Sequence, residues 1–382
     1  NNMMKPKIRF KGFEGGWKAE ELAHVCSVNR GVRVTRNDLH NNGIYPVYQN
    51  TDYPMGYYTK FNVESNNPFV IVGGSAGLIG FCHTNFWAAD DCVFFGDNPI
   101  INKSFLYNNL IFHKTEIKRN VRGASVPRLD RETLRKLPVL IPSLPEQQEI
   151  ASYFTSLDSQ ISASTSRLAS LKQMKAASLQ AMFPQEGETV PKIRFKGFKG
   201  EWKKVKADSI FKTFNEKNRP DLPVLSATQD RGMVTRESIG YNIFHDTSNE
   251  ATYKHILPGQ FVIHLRSFQG GFAHSEIEGI ASPAYTIIDF KNKDLYHDYY
   301  WRYVFMSKEF IKRLELITYG IRDGRSISYD EFKEMSFLVP SKEEQIKIAS
   351  YLKNLDRQIS LQSQRLEKLK QIKSACLDKM FV

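Results

Sequence analysis

The sequence predicts an α+β fold: two mixed α/β domains joined by two long antiparallel helices that form a coiled coil, with an internal repeat of pseudo-two-fold symmetry. Three observations predict it. The octet PKIRFKGF occurs at 6–13 and again at 191–198. A long helical block also occurs twice, each time after a strand-rich stretch. Finally, 382 residues are too many for one ordinary core and fit two to three domains.

The octet opens each half of the chain. Its copies extend to PKIRFKGFEGGW, ending at Trp17, and PKIRFKGFKGEW, ending at Trp202, and ten of these twelve positions are identical. We expect Phe10, Phe13 and Trp17 to bury against a helix end, while the lysines keep their ammonium groups in water. The octet is therefore interpreted as a docking segment that each half needs once. Direct contact with a nucleic acid is the alternative.

The two helical blocks are predicted at 143–184 and 341–382. Each begins with the S-x-x-E spacing of a capping box, in which a hydroxyl and a carboxylate satisfy free N–H groups of the first turn. Apolar residues then recur at steps of three and four, which gives the narrow seam of a coiled coil. The residues expected to pair the helices are Leu157, Ile161, Leu168, Leu171, Leu355, Ile359, Leu366 and Leu369.

The seam is interrupted at equivalent places in the two blocks. Ser164 and Gln362 interrupt it near the middle, and Lys175 and Lys373 interrupt it near the end. Matching interruptions favour two helices that face each other. The alternative is two unrelated surface helices, each packed on its own domain.

The stretches between these blocks, 1–142 and 191–340, form the two predicted domains. They share only weak echoes, such as FVIVGGS at 69–75 and FVIHLRS at 261–267, both of which indicate a buried strand that leads into a loop. The offset between the halves grows from 185 residues at the octet to 198 at the helices, so the second domain carries 13 extra residues. The pattern indicates a constant frame with variable domains.

Composition and motifs favour a binding protein over an enzyme. The formal net charge of +12 and the pI near 9.3 point to a polyanionic partner. Four scattered cysteines (Cys26, Cys82, Cys92 and Cys376) indicate reduced thiols, and the nine histidines never fall in a metal-ligand spacing. The glycine-rich stretch at 73–80 lacks the spacing of a phosphate-binding loop, and SPAY at 282–285 is an incomplete adenine-methyltransferase motif. We therefore predict neither a catalytic residue nor a metal site.

Polar and basic residues in the variable loops are the candidates for base and phosphate contacts, because arginine forks match guanine edges and amides match adenine. In the first domain the candidates are Arg33, Arg36, Gln49, Asn50, Ser75, Arg119, Arg122, Ser125 and Arg128. In the second domain they are Gln229, Arg231, Arg266, Ser267, Gln269, Tyr319, Arg322, Arg325 and Ser326.

Three patterns recur in one known family: PVYQNTDYPMGYY at 46–58, FVIVGGSAGLIG at 69–80 and, above all, P-S-x-x-EQ-x-x-IAS-Y-x-x-x-LD-x-QI starting at Pro142 and at Pro340. With them, the assembled pattern resembles the specificity subunit of type I restriction–modification systems. The resemblance covers nearly the whole chain. It implies two target recognition domains, each reading one half of a split, asymmetric duplex DNA site, with the helices setting the gap between the halves.

The resemblance also implies the partners. Two adenine methyltransferase subunits and two motor-nuclease restriction subunits are expected, with S-adenosylmethionine in the former, ATP and Mg in the latter, and no cofactor in this chain. A cytoplasmic, nucleoid-associated location in a bacterium or archaeon follows, since no apolar run approaches the roughly 18 residues of a membrane span. The competing interpretation is a basic coiled-coil adaptor that binds protein or RNA without reading DNA sequence.

Overall fold

The chain divides into two compact units, and each contains part of both long helices. The computed structural model describes residues 5–39, 42–228, 231–239, 247–264, 271–318 and 328–381. The first unit comprises Asn1–Ser166 and Gln364–Val382, and the second comprises Arg167–Ser363. The division crosses the predicted domain boundaries because each unit takes part of each helix.

The first unit combines short strands with helices. Its strands are β1 (Lys18–Glu21), β2 (Val28–Arg30), β3 (Tyr45–Tyr48), β4 (Gly56–Tyr58), β5 (Asn67–Ile71), β6 (Ile79–Cys82), β7 (Trp87–Ala88), β8 (Cys92–Phe95) and β9 (Pro138–Ile141). Its helices are α1 (Leu22–Val25), α2 (Lys103–Phe112), α3 (Lys114–Arg119), α4 (Arg131–Arg135) and the start of α5 (Leu144–Ala181). A 3₁₀ turn occupies Arg36–Asp38.

The central sheet of the first unit has the antiparallel order β2-β8-β5-β6. All five residues of β5 are buried, which explains the continuous apolar run after Pro68: a strand covered on both faces shows no alternation. A three-stranded sheet, β4-β3-β7, pairs β3 and β7 in parallel, and the ribbon β1-β9 leads into α5.

The second unit repeats the central sheet and the ribbon. Its strands are β10 (Lys203–Lys206), β11 (Phe211–Phe214), β12 (Leu225–Thr228), β13 (Gly232–Thr235), β14 (Lys254–Ile256), β15 (Phe261–Ile263), β16 (Phe272–His274), β17 (Gly279–Ala281), β18 (Thr286–Phe290) and β19 (Ser336–Val339). Its helices are α6 (Ala207–Ile210), α7 (Asp298–Met306), α8 (Lys308–Thr318), α9 (Tyr329–Glu334) and the start of α10 (Lys342–Met380). The order β11-β18-β15-β16 matches the first unit, whereas the ribbons β12-β13 and β14-β17 replace its three-stranded sheet.

Both units pair the long helices in an antiparallel manner. In the first unit the Tyr153 hydroxyl lies 3.4 Å from Cys376 Sγ, and Lys373 Nζ lies 2.5 Å from Asp158 Oδ1. In the second, Ser178 Oγ lies 3.3 Å from the Tyr351 hydroxyl. From one of these contacts to the next, the residue number rises along α5 while it falls along α10. The predicted antiparallel coiled coil is therefore present.

The residues predicted to pair the helices are all at least partly covered in the structure. Leu157, Leu171, Leu355 and Leu366 are buried, and the other predicted members (Ile161, Leu168, Ile359 and Leu369) are half-buried. The lysine interruptions have a role of their own. Lys175 pairs with Asp356 at 2.5 Å as Lys373 pairs with Asp158, so each unit holds one lysine–aspartate bridge between its helices.

The repeated octet docks on the start of a long helix. Arg9 donates from Nε to Glu146 Oε1 at 2.6 Å and from Nη2 to Oε2 at 2.7 Å, and Arg194 makes the same fork to Glu344 at 2.7 and 2.8 Å. Glu146 and Glu344 are each 1% exposed, so each arginine neutralises a buried carboxylate. We call each of these ion pairs a clasp.

The clasps correct one expectation about the capping boxes. Ser341 Oγ does accept from the Glu344 N–H at 3.3 Å, as a capping box requires. The two glutamate carboxylates, however, bind arginines that lie 137 and 150 residues away in sequence, not the local backbone. The expected burial of aromatic residues holds for Trp17, which is 1% exposed and meets Phe105 and Phe381 edge-on, whereas Phe10 and Phe13 are half-buried.

Candidate functional site

Three loops of the first unit converge at one edge of its central sheet. The loop after β5 lies against the end of β3, because the Ser75 N–H donates to Asn50 O at 3.1 Å. It also lies against the segment before α4, since the Gly74 N–H donates to Pro127 O at 3.1 Å. Gly74 has a φ of +77°, and a Cβ there would stand 2.8 Å from Asn50 Cβ. Only glycine allows this approach without strain.

The segment before α4 is a tight loop that presents arginines. Arg122 and Arg128 exchange backbone hydrogen bonds of 2.8 and 2.7 Å, which close the loop around Ser125. Gly123, with a φ of +93°, makes the turn possible. Arg128 Nη1 lies 3.3 Å from Asp91 Oδ1, while the Arg128 side chain remains 62% exposed. The loop is thus anchored to the sheet and still shows its guanidinium groups to solvent.

The structure brings together six of the nine predicted residues of the first domain. Arg119 ends α3 and accepts a 3.4 Å hydrogen bond from Arg122 Nη1 at its carbonyl. The cluster, called the arginine edge below, consists of Asn50, Ser75, Arg119, Arg122, Ser125 and Arg128, all of which are exposed.

The remaining three predicted residues of the first domain stand apart from the arginine edge or are partly covered. Gln49 is half-buried beside Tyr48. Arg33 and Arg36 are exposed on the segment after β2, and this segment packs through Val34 against Val47 and Ala89.

In the second unit the structure describes one of the predicted residues. Arg231 is exposed at the tip of the β12–β13 hairpin, where its N–H donates to Thr228 Oγ1 at 3.2 Å. Gly232 follows with a φ of +75°. A Cβ at this position would lie 2.2 Å from His274 O, so the position requires glycine. The other predicted residues lie outside the described ranges: Gln229, Arg266, Ser267, Gln269, Tyr319, Arg322, Arg325 and Ser326.

Sequence reasoning missed two residues that support these loops. Asp91 accepts from Arg128 and also lies against Gly73, where a Cβ would stand 2.3 Å from its Oδ1. Arg236 follows β13 and donates from Nε to Ser226 Oγ at 3.4 Å, and its buried Nη1 has no hydrogen-bond partner among the described residues. A basic residue immediately after a strand was the available signal for Arg236.

The chemistry of these surfaces suits polyanion binding. Exposed guanidinium groups donate to phosphate oxygens and to base edges.

Burial raises the pKa of the Cys26 thiol to about 11, and it raises the pKa of Cys92 as well, so neither thiol is an activated nucleophile near neutral pH. Within the described ranges, no three His, Cys, Asp or Glu side chains are grouped so as to hold a metal ion. In the same ranges, no helix combines the length and apolarity needed to cross a bilayer.

Two units with the same central sheet order, each containing part of both long helices, define a class of internally duplicated proteins. The sequence matches the family described as "Type I restriction modification DNA specificity domain" twice, over residues 14–173 and 199–371. Because these matches cover most of the chain, the protein belongs to that family of type I specificity subunits, as the sequence resemblance predicted.

Individual relatives agree with the family match. The chain is 22% identical over 365 residues to the type I restriction enzyme MjaVIII specificity subunit of Methanocaldococcus jannaschii, with 88% of this chain and 85% of that protein covered. It is 27% identical over 151 residues to a putative type I specificity subunit of Mycoplasma pneumoniae, S.MpnORF507P, of which it spans 41%. The crystal structure of a type I restriction–modification S subunit from M. genitalium has a TM-score of 0.70 over 99% of both chains, at 17% identity, which supports the fold.

Proposed function

We propose that this chain reads a split, asymmetric duplex DNA site, with one half-site recognised by the loops of each unit. The arginine edge carries the proposal: it holds exposed arginines, an amide and hydroxyls on loops fixed to a rigid sheet. Arginine forks and amides are the side chains that discriminate bases in the major groove. The second unit supports a different half-site because its loops differ in length and sequence.

The chain itself is proposed to be non-catalytic and to direct two adenine methyltransferase subunits and two restriction subunits to the site. S-adenosylmethionine would bind to the methyltransferase partner, and ATP and Mg would bind to the restriction partner. Methylation requires the adenine to leave the duplex, because its amino group cannot reach a methyl donor inside the stack. A nucleoid-associated location in the cytoplasm follows from this role.

The test is the adenine methylation pattern of the host genome with and without this gene. The expected result is the loss of one motif made of two short half-sites around a fixed gap. Arg122→Ala should then relax or abolish one half-site, and Arg231→Ala should affect only the other, each base contact being worth about 1–3 kcal/mol. Arg135→Ala is the matched control, because this arginine of α4 has a side chain that is 41% exposed and pairs with Glu132 at 3.2 Å.

The competing function is a basic adaptor that binds protein or RNA. It is distinguished by equilibrium binding of the chain, with the methyltransferase present, to duplexes that contain or lack the motif. Indifference to sequence, or preference for RNA, would overturn the recognition role. Sequence-selective binding that weakens steeply with salt would support it, since each neutralised phosphate releases counterions.

A further inference from the structure

The first unit contains a polar cavity of about 780 Å³ between α2 and α5. Ser104, Tyr107 and Asn108 line it from α2, Thr155 and Asp158 line it from α5, and Phe81 lines it from β6. The recognition loops described above take no part in it. The inference below therefore does not depend on DNA binding.

The second unit provides the matching positions for comparison. The N–H of Asn102, before α2, donates to Gln147 Oε1 at 2.9 Å, and the N–H of His297, before α7, donates to Gln345 Oε1 at 3.0 Å. Counting from these anchors, Ser104 corresponds to Tyr299 and Asn108 to Tyr303.

Counting along the long helices from Gln147 and Gln345 equates Thr155 with Lys353 and Asp158 with Asp356. Three small or short side chains in the first unit thus correspond to two tyrosines and a lysine in the second.

In the second unit the chain supplies its own cation and its own donor at these positions. Lys353 Nζ lies 3.6 Å from the centroid of the Tyr299 ring, a cation–π contact. The Tyr303 hydroxyl donates to Asp356 Oδ2 at 2.8 Å, while Lys175 binds Asp356 Oδ1 at 2.5 Å. Asp356 is therefore satisfied from both sides by side chains of its own unit.

In the first unit the equivalent carboxylate is less well satisfied. Asp158 Oδ1 accepts from Lys373 at 2.5 Å, and the aspartate side chain is 40% exposed. Asn108, in the place of the tyrosine, turns its amide NH₂ to Ser104 O at 2.8 Å. Asn108 is 2% exposed, and its Oδ1 has no hydrogen-bond partner among the described residues.

The other cavity wall is aromatic, and carboxylates act on the hydroxyl of its tyrosine. The rings of Phe81 and Tyr107 stand 5.3 Å apart, centroid to centroid. Burial raises the pKa of Tyr107, and the nearby Asp158 and Asp52 raise it further, as expected where negative charge surrounds the hydroxyl. Aromatic faces, a carboxylate and an amide oxygen together suit a planar cation that donates several hydrogen bonds.

We propose that this cavity binds a guanidinium group, and that the first unit takes from a ligand what the second unit takes from Lys353 and Tyr303. The guanidinium would stack on the aromatic wall and donate to Asp158 and Asn108. Its source is either an arginine side chain of a partner protein or a free small cation.

The proposal is tested by titrating butylguanidinium with the full chain and measuring binding by ligand-observed NMR. The matched probe is butylurea, which has a similar shape and no charge. The expected result is binding of butylguanidinium about tenfold tighter than butylurea, because a charge-assisted pair is roughly twice as strong as a neutral one. Equal affinity for the two probes would overturn the proposal.

Two variants locate the binding. Asp158→Asn should weaken butylguanidinium binding about tenfold, whereas Asp356→Asn, which loses an equivalent lysine bridge, should leave it unchanged. Equal effects of the two substitutions would overturn the proposal. Thr155→Lys, which places the lysine of the second unit in the cavity, should abolish binding, and retained binding would again contradict it. Comparison of Tm values separates these effects from misfolding.

A second arm identifies the source. The titration is repeated after the chain has been saturated with its methyltransferase subunit. Loss of butylguanidinium binding would assign the site to a partner's arginine. Retention would assign it to a free cation. Both outcomes support the site, since each requires prior binding by the chain alone.

Discussion

The two units hold their long helices with the same residues and differ in what they place beside them. Each clasp joins an octet arginine to a buried glutamate at the start of a helix, with nearly identical geometry in both units. The glutamine that follows each glutamate is fully buried and binds the segment before α2 or α7. By contrast, the small sheets differ, and the short side chains that line the α2–α5 cavity correspond to Tyr299, Tyr303 and Lys353 in the second unit. The frame is under packing constraints in both units, whereas the loops are free to vary.

The largest loss of stability should follow from breaking a clasp. Comparing the two clasps tests how far the two frames are equivalent. Glu146→Ala removes the carboxylate from Arg9, which is half-buried and still donates to the carbonyl oxygens of Gly15 and Glu14, and it should destabilise the first unit by about 1.5–3 kcal/mol. Glu344→Ala should do the same to the second. Trp17 Nε1 also donates to Glu146 at 3.3 Å, while Trp202 Nε1 has no hydrogen-bond partner among the described residues, so the first substitution should cost more.

Hydrogen–deuterium exchange, followed separately over the peptides of each unit, is the appropriate measurement because a two-unit chain need not unfold in one step. Each substitution should lower protection mainly in its own unit. Uniform loss across both units would contradict the independence of the clasps. Arg9→Lys is a useful control, because it keeps the charge and loses the fork.

A smaller effect is expected at the glycine that joins the recognition loops. Gly74→Ala forces an alanine to a φ of +77° and against Asn50 Cβ at 2.8 Å, which should cost about 1–3 kcal/mol locally. Gly15→Ala is the matched control: its φ of +83° is similar, but a Cβ there meets nothing within 4 Å. The arginine edge should exchange faster in Gly74→Ala than in Gly15→Ala. Equal exchange would show that the close approach is unimportant.

The smallest effect concerns pH and should appear in the second unit. Burial lowers the pKa of His297, with Asp298 opposing the shift and Lys342 adding to it. The unfolded state therefore binds a proton more readily, so the contribution to stability is present above the ordinary histidine pKa near 6.5 and is lost as the pH falls through the lowered folded value. His297→Asn introduces the residue of the first unit and should flatten this dependence. Hydrogen–deuterium exchange of the second unit, measured between pH 7.5 and 5.5 and corrected for intrinsic rates, checks this prediction. An unchanged pH dependence in the variant would refute the assignment to His297.

Local patterns in the sequence were sufficient to predict the frame. The helices predicted at 143–184 and 341–382 are α5 (Leu144–Ala181) and α10 (Lys342–Met380), and the family match agrees with the resemblance. The spacing of apolar residues along a helix is a short-range signal, and so is a duplicated motif. The role of the capping glutamates was predicted wrongly, because their arginine partners lie 137 and 150 residues away in sequence.

The sequence by itself determined the duplication, the long helices, the apolar seam and the family, since each depends on residues near one another or on a repeat. Only the tertiary structure decided that the glutamates clasp the octets and that Asn50, Ser75 and the loop arginines share one edge. It also decided that short side chains leave a cavity beside α2. These features depend on which distant side chains meet, and the physical reason is that hydrogen-bond geometry and packing volume are set by the assembled fold, not by sequence spacing.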